Sequence, residues 1–363
     1  MRIAIVGTRG IPAKYGGFET FAEELSIRLV KSGHEVAVQC DAGSYTANDY
    51  KGVKLFFTGF TKDSHPVKYY LTGMRWALRD YDIILVATTF GSYFYFLKWF
   101  RKKIIITNTD GLESRREKWA LPQKIYIKLS ELLAVLQSDY LIADSAGIFK
   151  YLKKNYPFAE RKIRTIEYGA EIVDSYIPSV LGKYGLEPDS YYLVVCRLEP
   201  ENNIAMIIDG YRNAVTEKSL VIVGNITNTR YLRNIISDLN DPQIRFLGGI
   251  YDKKVLNSLR FACKAYIHGH SVGGTNPSLL EAMGCGNIAI CHDNAFNREV
   301  TCGAQLYFSN ISELSDNINK VENLPADESD RYKKSGIDRI HDYYNWDLIF
   351  QKYSALLGIV SVK

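Results

Sequence analysis

The stretch from His268 to Glu281, HGHSVGGTNPSLLE, gathers residue types that suit anion and sugar chemistry. An apolar run, Ala265 to Ile267, leads into a loop rich in glycine, threonine and asparagine, and Pro277 then opens an apolar helix that Cys285-Gly286 closes. A strand feeding a glycine loop and a helix N-terminus leaves backbone N–H groups converging on one spot, and the helix dipole adds partial positive charge there. The spacing predicts an anion site, usually for a phosphate, built from Gly273, Gly274, Thr275, Asn276, Pro277 and Ser278. Gly273 and Gly274 allow a bulky ligand close to the backbone. Glu281, one turn further in, is placed to accept hydrogen bonds from sugar hydroxyls. Together these outline a nucleotide-sugar site.

Other candidates follow strand-like runs. Arg197, in VVCRLEPENN, comes directly after a strand, where a guanidinium offers two parallel hydrogen bonds to a diphosphate. The alternative is an ion pair with Glu199 or Glu201, and the company of the 277 helix favours phosphate. Asn203 is either a helix N-cap or a second ligand contact. The loop GTRGIPAKYGGFE, from Gly7 to Glu19, is longer than a dinucleotide-binding turn. Its Arg9, Gly16 and Gly17 face a ligand or neighbouring domain, or merely turn the chain.

Asp110, in TNTDGLE, is a general base, an acceptor anchor or a turn residue before Gly111. His268 and His270 are structural or catalytic, and Asn297-Arg298-Glu299 helps shape the pocket. Asp80 to Asp82 (DYD) precedes its strand and lies on the wrong edge of the sheet for a metal site; no other acidic cluster suggests a metal. The aromatic run YFYFLKW, ending at Trp99, is followed by Arg101, Lys102 and Lys103, with Arg115, Arg116 and Lys118 downstream. Aromatics mixed with cations suit an anionic membrane surface or, equally, an aromatic core helix with a solvated basic end.

The elements that position these residues alternate. Strands are expected at Arg2–Val6, Glu35–Gln39, Val53–Phe57, Ile83–Ala87, Lys103–Thr107 and Tyr140–Ala143, with helices between them and Glu167 to Ala170 ending the last strand of the first half. A Pro-, Gly- and charge-rich break from Asp174 to Ser190 separates a second βα series. Strands apolar throughout imply parallel sheets covered on both faces. The reading is α/β: a Rossmann-like domain over 1–178, a second over 179–342, and a helical segment over 343–363, with a cleft between the domains.

Length agrees, since 363 residues exceed one ordinary core. A net charge of +5 does not by itself point to nucleic acid. Six scattered cysteines read as buried thiols of a reducing compartment. Met1 leads straight into a strand, leaving no room for a signal peptide, and no apolar run reaches membrane-spanning length. The expectation is a cytoplasmic protein that touches a membrane surface.

Arg197 and PSLLEAMGCG (Pro277 to Gly286), within this two-domain pattern, resemble the GT-B glycosyltransferases of family 4. GTRGIPAKYGGFETF and HGHSVGGTNPSLLEAM look like one branch, the bacterial rhamnosyltransferase-type enzymes of capsule and O-antigen assembly. The resemblance implies a deep cleft between the facing domains, with the C-terminal helix crossing back to the N-terminal one. It implies a donor domain after the break, an acceptor domain before it, no cofactor and no metal. Glu281 matches the second glutamate of the family's paired motif and would hold the donor ribose; Gly273 stands where the first is expected. The family's lysine is replaced in the stretch Glu201, Asn202, Asn203, so Arg197 carries more of the diphosphate, with help from Arg9.

The implied reaction retains anomeric configuration: front-face attack, with the leaving phosphate taking the acceptor's proton and Asp110 as acceptor contact or base. The implied donor is dTDP-rhamnose, giving a β-L-rhamnoside on a lipid-linked saccharide at the inner face of the cell membrane. The alternatives are a UDP-sugar donor, a nucleotide-sugar 2-epimerase, and a non-catalytic nucleotide-sugar binder.

Overall fold

The computed structural model describes residues 1–361 apart from 15, 46, 110–112, 117–118, 227–229 and 238–240; the side chains of 115, 230, 236–237 and 361 are not described. The chain forms two compact units: Met1–Tyr168 with the segment from Trp346 onward, and Gly169–Asn345. The second unit therefore starts ten residues before the expected boundary at 178/179, and the return to the first falls at Trp346 rather than 343.

The first unit is built on β1 (Arg2–Val6), α1 (Gly17–Lys31), β2 (Glu35–Cys40), β3 (Asp49–Tyr50), β4 (Val53–Phe57), α2 (Pro66–Asp80), β5 (Ile83–Val86), β6 (Ile104–Asn108), α3 (Leu121–Gln137), β7 (Tyr140–Ala143), α4 (Ala146–Asn155) and β8 (Ile163–Thr165). The sheet order is β3-β4-β2-β1-β5-β6-β7-β8, parallel except at β3–β4. Ile3, Ile5, Val38, Ile84 and Ile105 are buried because helices cover both faces of the sheet. The aromatic run is a 3₁₀ stretch, Thr89–Phe100, in which Tyr95 is buried but Trp99 and Phe100 are exposed.

The second unit holds α5 (Pro178–Lys183), β9 (Tyr191–Val195), α6 (Ile204–Arg212), β10 (Ser219–Val223), α7 (Arg230–Ser237), β11 (Ile244–Gly248), α8 (Lys253–Ala262), β12 (Ala265–His268), α9 (Pro277–Gly284), β13 (Ala289–His292), α10 (Ala295–Thr301), β14 (Leu306–Phe308), α11 (Ile311–Glu322) and α12 (Ala326–Arg339). Its sheet is wholly parallel, in the order β11-β10-β9-β12-β13-β14. Alternate residues of β9 feed opposite cores: Tyr192 and Val194 join Ile207, Ile267 and Leu314, while Tyr191 and Leu193 join Leu259, Tyr266 and Ala282.

The last helix, α13 (Trp346–Ser361), completes the first unit. Ile349, Tyr353, Leu356 and Leu357 are buried, the Tyr353 ring lies 5.5 Å from that of Phe21, and Asp347 pairs with Arg28 at 3.2 Å. The expected strand ending at Glu167 to Ala170 is shorter, stopping at Thr165; Glu167 instead pairs with Lys352 of α13.

Candidate functional site

In the second unit the strand order reverses at β9, which lies between β10 and β12. Ligands of open parallel sheets bind outside the strand carboxyl ends at such a switch point. Arg197 follows β9 and the loop 269–276 follows β12, so the fold brings the two main sequence candidates to this one place. Ser278 of α9 ties them together: its hydroxyl donates to the Val195 carbonyl at 2.8 Å, and the Tyr266 hydroxyl donates to the same oxygen at 3.0 Å. The Arg197 backbone is fixed in turn, its carbonyl accepting from Glu199 N–H at 2.8 Å and from the Asn202 side chain. Its guanidinium is 43% exposed and meets Glu199 only at 3.7 Å. The backbone that carries the cation is thus fixed, and little of the cation's charge is spent on Glu199.

The loop is held from below. Ser271 N–H and hydroxyl donate to the Glu201 carbonyl at 3.0 and 2.9 Å, and Asn203 Nδ2 donates to the Gly269 carbonyl at 2.7 Å. Asn203 occupies the N-cap position of α6 at φ 54°, but its side chain braces the loop instead of capping the helix. Among the described residues the amides of Gly273 and Gly274 reach no protein acceptor, and a Cβ at Gly273 would meet open space. These amides supply the free donors of the loop. The helix end itself contributes less than expected: Pro277 has no N–H, and Asn276 Oδ1 caps Ser278 N–H at 3.0 Å. The Asn276 oxygen thus serves as the helix cap, and Thr275 is buried in the turn.

Glu281 does not stand alone. One carboxylate oxygen lies 2.6 Å from the guanidinium of Arg260, a buried residue of α8 that sequence reasoning missed. His268 is buried with neither ring nitrogen hydrogen-bonded, and burial pushes its pKa down to about 3, so it stays neutral. It stacks on His270 with ring centroids 4.4 Å apart. Asn297 acts through the backbone, donating to the carbonyls of His270 at 3.0 Å and His292 at 2.8 Å, whereas Arg298 is taken by Asp293.

The glycine loop of the first unit is differently arranged. Arg9 makes a bidentate pair with Asp63, both contacts at 2.7 Å, and approaches Asp41 at 3.9 Å. Its guanidinium is already engaged, against the expectation that it assists a diphosphate. Glu19 and Glu23 of α1 accept from the N–H groups of Arg9 and Ala13 at 2.8 and 2.7 Å. Gly16 is the extended residue before α1 and Gly17 its first residue. Gly10 lies at φ 114°, and a Cβ there would meet Cys40 Sγ at 2.6 Å.

Asp110 and Lys118 lie outside the described residues, as does the side chain of Arg115. Arg116 is buried and paired with Glu113, which removes it from the expected exposed basic face. Trp99, 71% exposed, and Lys102 are on the surface. The 3₁₀ stretch stacks on α3 through Tyr93 and Tyr126, ring centroids 4.9 Å apart, and α3 exposes a stripe of Leu121, Ile125, Leu129 and Leu136. Lys124 and Lys128 flank a groove along that stripe. Among the described residues no helix is long and apolar enough to cross a membrane.

Both units have the α/β architecture of GT-B glycosyltransferases, and solved structures of similar fold extend along the whole chain. Sucrose-phosphate synthase from Thermosynechococcus elongatus has a TM-score of 0.82 at 15% identity, covering 99% of both chains. HepE of Anabaena in complex with UDP-glucose has a TM-score of 0.78 at 14% identity, again covering 99% of both. Residues 182–339 match the family "Glycosyl transferases group 1", and residues 1–171 match a domain family of unknown function, DUF1972. A curated relative from Campylobacter jejuni is N-acetylgalactosamine-N,N'-diacetylbacillosaminyl-diphospho-undecaprenol 4-alpha-N-acetylgalactosaminyltransferase. It is 24% identical over 159 residues, 44% of this chain and 42% of the relative, so the chain spans less than half of that relative's length.

Proposed function

We propose that the chain is a retaining, metal-independent glycosyltransferase that moves a sugar from a nucleoside diphosphate to a lipid-linked saccharide in cell-surface polysaccharide assembly. The observation that carries the reading is the switch point of the second unit, where a loosely paired Arg197 and the open amides of Gly273 and Gly274 follow adjacent strands, with Glu281 one turn into the helix that comes next. Such a group stabilises the charge that develops on a leaving diphosphate. The match to the glycosyl transferase family over 182–339 supports it. His268 argues against an epimerase, because a ring with its pKa near 3 is a poor proton carrier at neutral pH.

The donor is L-rhamnose carried on dTDP, giving a β-L-rhamnoside, on the strength of the two branch motifs. A UDP-sugar is the second reading, favoured by the UDP-glucose bound to a protein of similar fold. A lipid-linked acceptor is supported by the diphospho-undecaprenol in the relative's name. In the first unit, Trp99, Phe100 and the apolar stripe of α3, fringed by Lys102, Lys124 and Lys128, form the face that meets an anionic membrane at its cytoplasmic side.

The test is a donor panel followed by NMR: dTDP-rhamnose, UDP-glucose, UDP-galactose and UDP-N-acetylglucosamine, each with a lipid-diphosphate N-acetylglucosamine acceptor. Transfer from dTDP-rhamnose with a β-configured product is expected. Transfer only from a UDP-sugar replaces the donor. An α-linked rhamnoside removes the retaining mechanism, and binding without transfer to any of a varied set of acceptors removes the transferase.

A further inference from the structure

The most deeply buried charge beside the site is one that the reaction as proposed does not use. Arg260 is 2% exposed, and its guanidinium Nη2 lies 2.6 Å from Glu281 Oε2. Its other close polar neighbours are the phenol of Tyr266 and the thiols of Cys263 and Cys285, and burial raises the pKa of all three, so they are neutral. Burial opposes the charge of Arg260 and the nearby carboxylate restores it, leaving its pKa above the ordinary value. Glu281 is therefore the carboxylate that balances this cation. The end of α8 cannot drift, because the Arg260 carbonyl accepts from Asn287 Nδ2 at 2.6 Å.

The pairing is one-sided. Arg260 takes Oε2, whereas Oε1 has no partner among the described residues, and the Glu281 side chain keeps 20% of its surface exposed. A buried ion pair is poor value as a source of stability, since apolar residues of similar volume do as well or better. What a planar guanidinium does provide is orientation of a carboxylate.

We infer that Arg260 is a positioning residue for ribose recognition: it fixes the Glu281 carboxylate from behind, so that the open oxygen accepts from a hydroxyl of the donor's ribose. This rests on the reading of the second unit as a nucleotide-sugar site. A carboxylate already held loses little freedom when the ligand arrives, and the hydroxyl contact keeps its full worth. Without the guanidinium the side chain would swing among rotamers and its preference for a sugar hydroxyl would fade.

The full chain is titrated calorimetrically with UDP and dTDP, each beside its 3′-deoxy counterpart, and with inorganic pyrophosphate. The wild type is expected to prefer the hydroxylated nucleotide by about ten- to a hundredfold, the worth of a hydrogen bond to a charged group. In Arg260→Met that preference falls below about threefold, while pyrophosphate affinity stays within about twofold, a split that general loosening of the unit does not produce. Arg260→Lys keeps a buried cation without the planar fork and is expected to recover only part of the preference; it carries the test if the methionine variant does not fold. Wild-type preference in a folded Arg260→Met or Arg260→Lys overturns the role of Arg260 and leaves the nucleotide site standing. A wild type that binds none of the nucleotides overturns both.

Discussion

The two units each place a glycine loop and an arginine beyond the carboxyl ends of strands of a parallel sheet, β1 in the first and the neighbours β12 and β9 in the second, yet they use them in opposite ways. In the first, the loop is closed on itself: Asp63 and Asp41 take the Arg9 guanidinium, and Glu19 and Glu23 take the amides. In the second, the amides of Gly273 and Gly274 stay open and Arg197 meets its nearest carboxylate only at 3.7 Å. Glycine content and a nearby cation are common to both. What separates a ligand loop from a structural loop is whether the chain supplies its own anions. Carboxylates from α1 and from the loops after β2 and β4 do so in the first unit, and among the described residues nothing comparable reaches 273 and 274.

Exchanging the arginines should separate the two roles most clearly. Arg197→Ala is expected to lose about 2–4 kcal/mol of transition-state stabilisation in kcat/KM, with an unchanged melting temperature. Arg9→Ala strands two carboxylates and is expected to lower the melting temperature, with the smaller effect on rate. Equal rate losses from the two would erase the distinction.

The glycines sharpen it. Gly10→Ala drives a methyl group into Cys40 at a positive φ and should cost about 2–4 kcal/mol of stability, read by denaturant unfolding. Gly273→Ala has open space, so only the strain of about 1 kcal/mol applies, and its main effect should be a weaker Kd for nucleotide. A Gly273 variant with unaltered nucleotide affinity would argue that this loop, too, is structural.

His268 gives the second unit a dependence on pH. Its folded pKa, about 3, lies below that of free imidazole, so below about pH 6.5 the unfolded chain takes up a proton that the folded one refuses. Its contribution is whole above pH 6.5 and is lost progressively as pH falls towards 3, by about 1.4 kcal/mol per unit. His268→Phe should flatten the fall in melting temperature between pH 6.5 and 5; an identical slope would mean that the ring finds a partner for its proton. The smallest effect expected is at the face of the first unit proposed to meet a membrane. Replacing Trp99 and Lys102 by serine should weaken binding to anionic vesicles at low salt by about five- to tenfold, as co-sedimentation would measure.

The parallel sheets were legible because strands covered on both faces are apolar without alternation, as IAIV in β1 and LVIV in β10 illustrate. Elements lacking that signature were missed. Helix α12 is largely charged and β14 is three residues long, while β8, also three residues, stops short of its expected end. Arg197 and the 277 helix could be picked out because their position just after a strand is written in the chain. The engagement of Arg9 was not, since its partner Asp63 is set by how two loops meet. Nor was Arg260, which reads as one more cation on a surface helix until α8 packs against α9.

The return of α13 to the first unit has a consequence for synthesis. A ribosome releases the chain from the N-terminus, so all of the second unit, Gly169–Asn345, emerges before the helix that completes the first. Until then the surface of Phe21 that Tyr353 will cover is bare, and the first unit waits as an unfinished, adhesive body while its neighbour is already able to fold. The unit made first is the one finished last, and a nascent chain halted after Asn345 would expose that seam to chaperones.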